Sequence, residues 1–498
     1  MSKGNPFNKW YLALAGLGVG VRLLFLLPAG DLEPYRDESA YLYLAVCWNY
    51  FGFYSDMGNW LWPPGYPFFL ATLLDWFGTG GIFAAKLIQV LGSGVIGLFL
   101  MLIARRTLDH RAAIVAGLIW CFYLPLIGFS HYLWPETIFL VCFVPALYLL
   151  VSWWLSEASK DSSAMPQLLG AGLLLGLSLL IKESLLYLSV VLVILMIWRY
   201  RRVAWGEGVR CATLFVLAQT AVVLPWTLRN YEVYDRFAPV AASLGQNCFK
   251  GIFGRYANID FPDALLGADE LGQAPPAEPD AEPLYARVYG RDHWIYRWFI
   301  HRPPQAVWGR TRRKDSPDAL VVMNTVDQSH ANVRKAIEFI RQYPRYFALL
   351  RVKRLSNWAS PTSFFVRHNA LGRYDGILAS VGVRRALLIG ALALPMTVLI
   401  SAIPGLIWSL RRSPGATMLR CTALYALIPA LLVGMSRHRA AVEPVLIIAA
   451  AGFLSRIGRP NGVSKLAAAG TVIAWAALGF LWLLAGRELL VIAGAIWG

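Results

Sequence analysis

Apolar residues along this chain gather into long unbroken runs, not into the alternating or one-faced stripes of half-buried strands and helices. A helix that crosses ~30 Å of hydrocarbon needs about 20 residues. Runs of that order occupy 8–27, 81–104, 111–129, 134–154, 167–182, 184–200, 209–228, 384–410, 416–436, 440–456 and 466–486, which predicts about 11 transmembrane helices. The tail Leu489–Gly498 is apolar but short and extends the last of them. Segment 64–78 is apolar too, yet it follows Pro63-Pro64 and carries Asp75, so it reads as interfacial or re-entrant. Two polar segments separate the runs, 28–80 and 229–383, and the second is long enough for a small folded domain. Within it, GQAPPAEPDAEP at 272–283 reads as a flexible loop. The organisation expected is an N-terminal membrane module over 1–228 with a first outer loop at 28–80, a large outer loop domain over 229–383, and C-terminal membrane helices over 384–498. No internal repeat or inverted half is visible.

Composition sharpens this. Of 498 residues 57% are apolar and 15% charged, at a mean hydropathy of +0.51. Soluble domains carry ~25% charge, so a soluble enzyme and a disordered chain are both excluded. The fold class expected is an all-α polytopic membrane protein. Its first apolar run exceeds the 7–15 residues of a signal-peptide core and is followed by further runs, so it reads as a span.

The charge has two sources. Lys and Arg number 46 against 29 Asp and Glu, a net +17. With the N-terminus cytoplasmic, 16 of the cations fall on the inner side, from Lys3 and Lys9 through Arg105, Arg106 and Arg199 to Arg459 and Lys465. Only Arg36, Lys182, Arg437, Arg439 and Arg487 fall on short outer segments. That asymmetry sets orientation in an inner (cytoplasmic) membrane, with the outer loops periplasmic. The outer stretch 229–385 holds 23 Lys and Arg against 15 acids. Long loops are largely exempt from the orientation rule, so this excess points to phosphate-bearing lipids at the outer leaflet. Nucleic acid is not an expected partner, because the basic loop faces away from the cytoplasm.

Ionisable groups in or beside a span are costly and mark function. At the outer ends these are Asp31, Glu33, Arg36, Asp37 and Glu38; Glu136; Lys182 and Glu183; Arg229; and Arg437, His438, Arg439 and Glu443. They come from five distant parts of the chain and share one membrane face. Such a mixture suits a lipid phosphate beside a catalytic base. Plainer roles stand beside it: Arg437 and Arg439 as snorkelling cations, Glu136 and the 37–38 acids as helix-dipole partners, and Lys182-Glu183 as a turn. Arg22 and Lys86 sit inside spans and are assigned no role. Segment 333–358 is apolar on one side and basic on the other, and reads as an interfacial helix on anionic headgroups. Trp48, Tyr50, Tyr54, Trp60 and Trp62 read as a belt at the interface or a sugar platform. The six cysteines form no CxxC pair; Cys47 and Cys248 both face the oxidising side, where a disulfide is conceivable.

The motifs resemble a known family. YRDESAYLYLA at 35–45 and WPPGYPFFLA at 62–71 resemble the first periplasmic loop of the GT-C glycosyltransferases that use polyprenyl-phosphate sugars. The likeness is to bacterial relatives of dolichyl-phosphate-mannose protein mannosyltransferases, with the aminoarabinose transferases of lipid A as a neighbouring branch. GLLLGLSLLIKES at 172–184 is similar to the family's glycine-rich helix ending in a cation, and LPWTLRNYEVYDRFAPV at 224–240 to its PW-x-x-RN segment. QYPRYFALLRVKRL at 342–355 resembles its NP-x-x-Y helix, with Tyr343 where Asn is common. SRHRAAVEPVLIIAAAGF at 436–453 is similar to its RYRxPxEP helix start. Residues 254–330 match no motif of the family.

The resemblance implies a GT-C-like bundle with interfacial helices in the first outer loop, and it gives Asp37 the role of general base. An acceptor hydroxyl must lose its proton as it attacks the sugar C1. The departing lipid phosphate needs preplaced cations, for which Lys182, Arg229, Arg437 and Arg439 are the candidates. Arg36, Glu38, Glu136, Tyr66 and Glu443 are expected to support the site. One base and one displacement imply inversion. The partners expected are a polyprenyl-phosphate sugar, membrane lipids, and an acceptor protein, lipid A or glycan. No cofactor is indicated with certainty, and no His or Cys metal spacing appears; a divalent metal on Asp31, Glu33, Asp37 and Glu38 stays open. Two alternatives remain: a polysaccharide polymerase or ligase using lipid-diphosphate donors, and a lipid-linked sugar flippase.

Overall fold

The computed structural model describes residues 8–29, 34, 37–52, 54, 62–156, 164–201, 204–242, 244–253, 325–370, 373–410, 413, 415–457 and 465–485. Among these, every regular element is helical. In chain order they are α1 (Lys9–Ala29), α2 (Asp37–Phe51), α3 (Gly65–Phe77), α4 (Gly81–Thr107), α5 (His110–Phe122), α6 (Leu124–His131), α7 (Glu136–Leu155), α8 (Ala164–Ile181), α9 (Leu188–Tyr200), α10 (Trp205–Tyr234) and α11 (Leu244–Phe253). Then follow α12 (Thr325–Gln342), α13 (Pro344–Ala359), α14 (Phe364–Ala370), α15 (Val381–Pro404), α16 (Ala416–Tyr425), α17 (Leu427–Leu432), α18 (Glu443–Leu454) and α19 (Lys465–Leu484).

Each apolar run of the sequence coincides with a helix or a helix pair. Among the described residues 6 helical stretches are long and apolar enough to cross a membrane, or 7 if the pair α5–α6, bent by 53°, forms one span. Pro125 at the start of α6 lacks the N–H that would continue α5, which accounts for the bend. Met165–Ile181, Ala416–Leu432, Glu443–Leu454 and Ala468–Leu484 are apolar but shorter. The protein is a multi-pass membrane protein. The run 64–78 forms α3, joined to α4 through a 3-10 turn at Gly78–Gly80, where Gly78 takes a positive φ of 56°.

The chain divides into two compact units. The first comprises Met1–Pro34, Phe83–Pro225 and Arg351–Gly498; the second comprises Tyr35–Ile82 and Trp226–Leu350. This differs from the three consecutive domains read from the sequence: most of the first outer loop groups with the large outer segment, and α10 contributes to both units.

In the first unit small residues allow close backbone approach. Gly172 and Gly176, one turn apart on α8, meet α10: a Cβ at Gly172 would lie 2.6 Å from the Phe215 carbonyl, and one at Gly176 would lie 3.0 Å from that of Gln219. A Cβ at Gly405 would lie 1.9 Å from the Ala449 carbonyl on α18. The intramembrane cation Arg22 is held by the protein: it donates to the carbonyls of Gly18 (2.9 Å) and Trp120 (3.1 Å) and stacks 4.1 Å from the Trp120 ring. Arg199 caps the end of α7, donating to the carbonyls of Trp153, Trp154 and Ser156 at 3.0, 2.6 and 2.6 Å. The Arg199 acceptors lie at the end of α7, where carbonyls lack helical partners, whereas Arg22 bonds one carbonyl within α1 and one near the end of α5.

In the second unit α2 packs on α3, tied by Asn49 Nδ2 to the Ala71 carbonyl at 2.7 Å. α11 packs on α12, where Gly245 N donates to Ser329 Oγ at 3.0 Å. A small core of Ile252, Ala336, Phe339 and Leu350 closes this part. The interfacial helix expected over 333–358 is two helices, because Pro344 interrupts the backbone ladder after Gln342. The second half of α13 belongs to the first unit and is latched there. Arg351 donates to the Leu431 carbonyl at 2.6 Å, Ser356 to that of Leu481 at 2.6 Å, and Trp482 Nε1 to that of Ala359 at 2.8 Å. Arg354 is fully buried, and burial lowers its pKa. Among the described residues no disulfide forms, and Cys47 and Cys248 are not joined; burial raises the Cys47 thiol to about 12.

Gly434 supplies a test of the α13 latch. It holds a positive φ of 61°, and a Cβ there would lie 2.3 Å from the Arg354 carbonyl. Gly434→Ala is expected to destabilise the protein by more than ~1 kcal/mol, read as a lower thermal unfolding midpoint in detergent.

Candidate active site

In the first unit, three chain segments meet at one carboxylate. Glu136 opens α7 behind Pro135 and is 0% exposed. Lys182, just past the end of α8, places Nζ 2.7 Å from Glu136 Oε1. Arg437, in the 3-10 turn Ser436–Arg439 before α18, places Nε 2.5 Å from the same oxygen and a terminal nitrogen 3.4 Å from Oε2. The cations keep 19% and 11% side-chain exposure while the carboxylate keeps none. The Arg437 guanidinium also stacks 4.1 Å from the Trp134 ring, which is flanked by Phe364 at 4.5 Å and His368 at 6.1 Å between centroids. Gln89 holds the segment leading into Trp134 by donating to the Tyr132 carbonyl at 2.8 Å. A buried ion pair is stable only when its geometry is good and its hydrogen bonds are made, and Glu136 meets both conditions.

Arg439 and Glu443 form a second, sealed arrangement. Arg439 Nε lies 2.6 Å from Glu443 Oε1, and NH1 donates to the Trp358 and Ser360 carbonyls at 2.9 and 2.8 Å. Tyr123 donates to Glu443 Oε2 at 2.5 Å. Burial works against the charge of Arg439, but Glu443 and Tyr123 outweigh it and hold its pKa above the usual value. The sequence made Arg437 and Arg439 equal candidates for a phosphate. The structure separates them, because Arg439 is 1% exposed and engaged with protein acceptors. Its role is to fix the turn that presents Arg437.

The second unit holds the other candidates. Asp37 and Glu38 begin α2, in its first turn, where acids complement the helix dipole. Asp37 is partly exposed and Glu38 is buried. Tyr41, one turn after Asp37, packs edge-on against Trp62 at 4.6 Å and against the fully buried Tyr66 at 5.1 Å. The 224–240 motif folds back on itself: Trp226 Nε1 donates to the Val240 carbonyl, Thr227 Oγ1 to that of Pro239 and Asn230 Nδ2 to that of Ala238, at 2.8, 2.8 and 2.9 Å. Arg229 sits among the rings of Trp226, Tyr234 and Tyr54 at 4.8, 5.7 and 5.8 Å, and donates to the Tyr54 carbonyl at 3.2 Å. Tyr54 is buried, which raises its pKa, and its hydroxyl donates to the Trp62 and Pro63 carbonyls at 3.1 Å. Arg36, Asp31, Glu33 and Trp60 lie outside the described residues.

Sequence reasoning singled out Glu136, Lys182 and Arg437 but missed Trp134, Tyr123 and the Trp358 and Ser360 carbonyls. Trp134 carried one signal, an aromatic two residues before a buried acid. Backbone carbonyls carry none. Among the described residues no three His, Cys, Asp or Glu side chains converge as a metal site would require.

Comparison with known proteins bears on this geometry. Residues 62–226, about a third of the chain, match the family model for dolichyl-phosphate-mannose-protein mannosyltransferase. That segment contains Tyr66, Glu136 and Lys182, but not Asp37, Arg229 or Arg437. Among curated proteins no match is found. The fold is similar to that of the archaeal oligosaccharyltransferase AglB from Archaeoglobus fulgidus, solved with an inhibitory peptide and a dolichol-phosphate: TM-score 0.50, 16% identity, covering 98% of this chain and 56% of that one. The apo oligosaccharyltransferase of the same organism gives 0.51 at 14% identity, covering 98% and 55%. The chain thus spans little more than half the length of these enzymes. ArnT from Cupriavidus metallidurans bound to undecaprenyl phosphate aligns at a TM-score of 0.38 and 13% identity, covering 90% and 78%, a level from which nothing is inferred. The all-α membrane fold read from the sequence holds, and the mannosyltransferase resemblance read from its motifs is matched over residues 62–226.

Removing the shared carboxylate leaves two cations facing each other. Glu136→Gln is expected to cost roughly 3–5 kcal/mol, seen as a lower thermal midpoint. Adding Lys182→Met should recover part of that loss, since coupled pairs are non-additive; a full additive loss would show that the pair is not coupled.

Proposed function

We propose that the protein is a membrane glycosyltransferase that moves a sugar from a polyprenyl-phosphate donor to an acceptor on the outer face of the cytoplasmic membrane. One observation carries the reading: Lys182 and Arg437 converge on a single buried carboxylate beside the ends of apolar helices. The three groups together hold one more positive than negative charge, at a place suited to lipid headgroups. Arginine adds planar donor geometry that fits phosphate oxygens. The mannosyltransferase match over 62–226 supports sugar transfer, and the dolichol-phosphate in the AglB structure supports a lipid phosphate as leaving group.

The chemistry then divides by residue. As the bond from C1 to the donor phosphate breaks, charge grows on the phosphate, and fixed cations stabilise it without proton transfer. Lys182 and Arg437 take that role. Arg229, held by its aromatic neighbours, is a further candidate. Arg439 is left out of the set because its donors lie on Glu443 and two carbonyls. Asp37 is assigned as general base, taking the proton of the acceptor hydroxyl. It opens α2 and is partly exposed, whereas its neighbour Glu38 is buried. One base and one displaced phosphate imply inversion at C1, since retention would need a nucleophilic carboxylate. A protein side chain, lipid A or a glycan all present the required hydroxyl or amine.

Two measurements test this. Transfer from a synthetic prenyl-phosphate sugar should fall ~100-fold or more in Asp37→Asn, with donor binding kept; near-normal turnover by the folded variant would sink the base assignment. Donor competition separates the reading from a lipid-diphosphate enzyme. A prenyl monophosphate should inhibit more strongly than the diphosphate of the same chain length, and the reverse order would favour the polymerase or ligase alternative.

A further inference from the structure

Each of the three chain segments that build the cation cluster also carries a buried polar group with no hydrogen-bond partner. Trp134, two residues before Glu136, is 1% exposed and its Nε1–H is unpaired. Ser184, two residues after Lys182, has an unpaired Oγ. Ser436, directly before Arg437, is 7% exposed and its Oγ is unpaired as well. Buried donors are nearly always satisfied, and one left unpaired is destabilising. These three lie within two residues of Glu136, Lys182 and Arg437, in the segments that the ion pairs bring together.

These donors are held in place. The Trp134 ring is fixed between the Arg437 guanidinium and Phe364. The Ser184 carbonyl accepts from the Tyr425 hydroxyl at 3.1 Å. Ser436 begins the 3-10 turn that Arg439 anchors to Glu443 at its other end. Rigid, unpaired donors beside cations are what an anion with several oxygens requires.

We infer that Trp134, Ser184 and Ser436 are neutral donors of the lipid-phosphate site, completing the shell begun by Lys182 and Arg437. The inference rests on the glycosyltransferase reading and deepens it. Cations attract the anion; neutral donors assign its oxygens to positions. A sugar-phosphate donor is a phosphodiester with two terminal oxygens. The prenyl phosphate left after transfer is a monoester with three and a larger charge. Extra donors therefore favour the monoester, and with it the transition state in which the third oxygen is being released.

Binding of farnesyl monophosphate and of its methyl ester, a phosphodiester, to the purified full chain in detergent tests this by titration calorimetry. The variants are Ser184→Ala, Ser436→Ala, the double variant and Trp134→Phe, with Lys182→Met as reference. Trp134→Phe keeps a ring under Arg437 and removes the Nε1–H. Each single change should weaken monoester binding ~3–10-fold, the double change should weaken it more, and the diester should lose less. The thermal midpoint of the ligand-free protein should not fall in the serine variants, because the hydroxyl removed has no partner. If Lys182→Met weakens the monoester while the serine and tryptophan variants bind as wild type does, the inference is overturned and the glycosyltransferase reading stands. A lower ligand-free midpoint in the serine variants would also overturn it, by marking those hydroxyls as structural. If wild type binds neither ligand, or Lys182→Met changes nothing, the phosphate-site reading itself falls.

Discussion

A lone carboxylate as deeply buried as that of Glu136 would be untenable, and the part of the first unit around it is organised by that fact. Its two partners are 46 and 301 residues away in sequence. Satisfying one charge therefore fixes the start of α7, the end of α8 and the turn before α18 together. The Arg439–Glu443–Tyr123 arrangement does the same for the other end of that turn, reaching the α5–α6 bend and two carbonyls at the end of α13. The turn 436–439 is thus held at two charges with different duties. Arg439 is sealed in, and Arg437 stays at the edge.

The same economy appears along the helices. Arg22 and Arg199 are cations whose donors face backbone carbonyls, and at Arg199 the charge becomes a cap on the end of α7. Gly172 and Gly176 let α8 approach the α10 backbone, and their fixed spacing places Lys182 at the end of a helix that cannot rotate freely. Packing and electrostatics act on one object: the glycines set the helix face, and the face sets where the terminal cation emerges.

Much of this was legible in the sequence, for reasons that differ by feature. Apolar runs announce membrane helices because hydrocarbon leaves the backbone few alternatives. The charges at their ends stand out because each is costly there, which is how Glu136, Lys182 and Arg437 were found. The roles of Arg437 and Arg439 could not be told apart, since two residues in a 3-10 turn point in different directions and the sequence states only their spacing. The 333–358 segment looked like one amphipathic helix because its composition is continuous; Pro344 marks the break after Gln342, while the seating of Arg351 and Ser356 around buried Arg354 depends on α17 and α19, far along the chain. The 224–240 motif was recognised as a string. Its meaning, side chains at the end of α10 clasping the carbonyls of 238–240, needed coordinates.

The sequence separation of the Glu136 cluster also bears on how the protein is made. α7 and α8 leave the ribosome as neighbours, and Glu136 with Lys182 pairs two opposite charges at the open end of that hairpin, which lowers the cost of burying either. Arg437 is synthesised only with the last helices. Until it arrives, the pair has no surplus charge with which to hold a lipid anion. The surplus positive charge is therefore the last part of the cluster to be supplied, and a partly translated chain is electrically silent where the finished one is not.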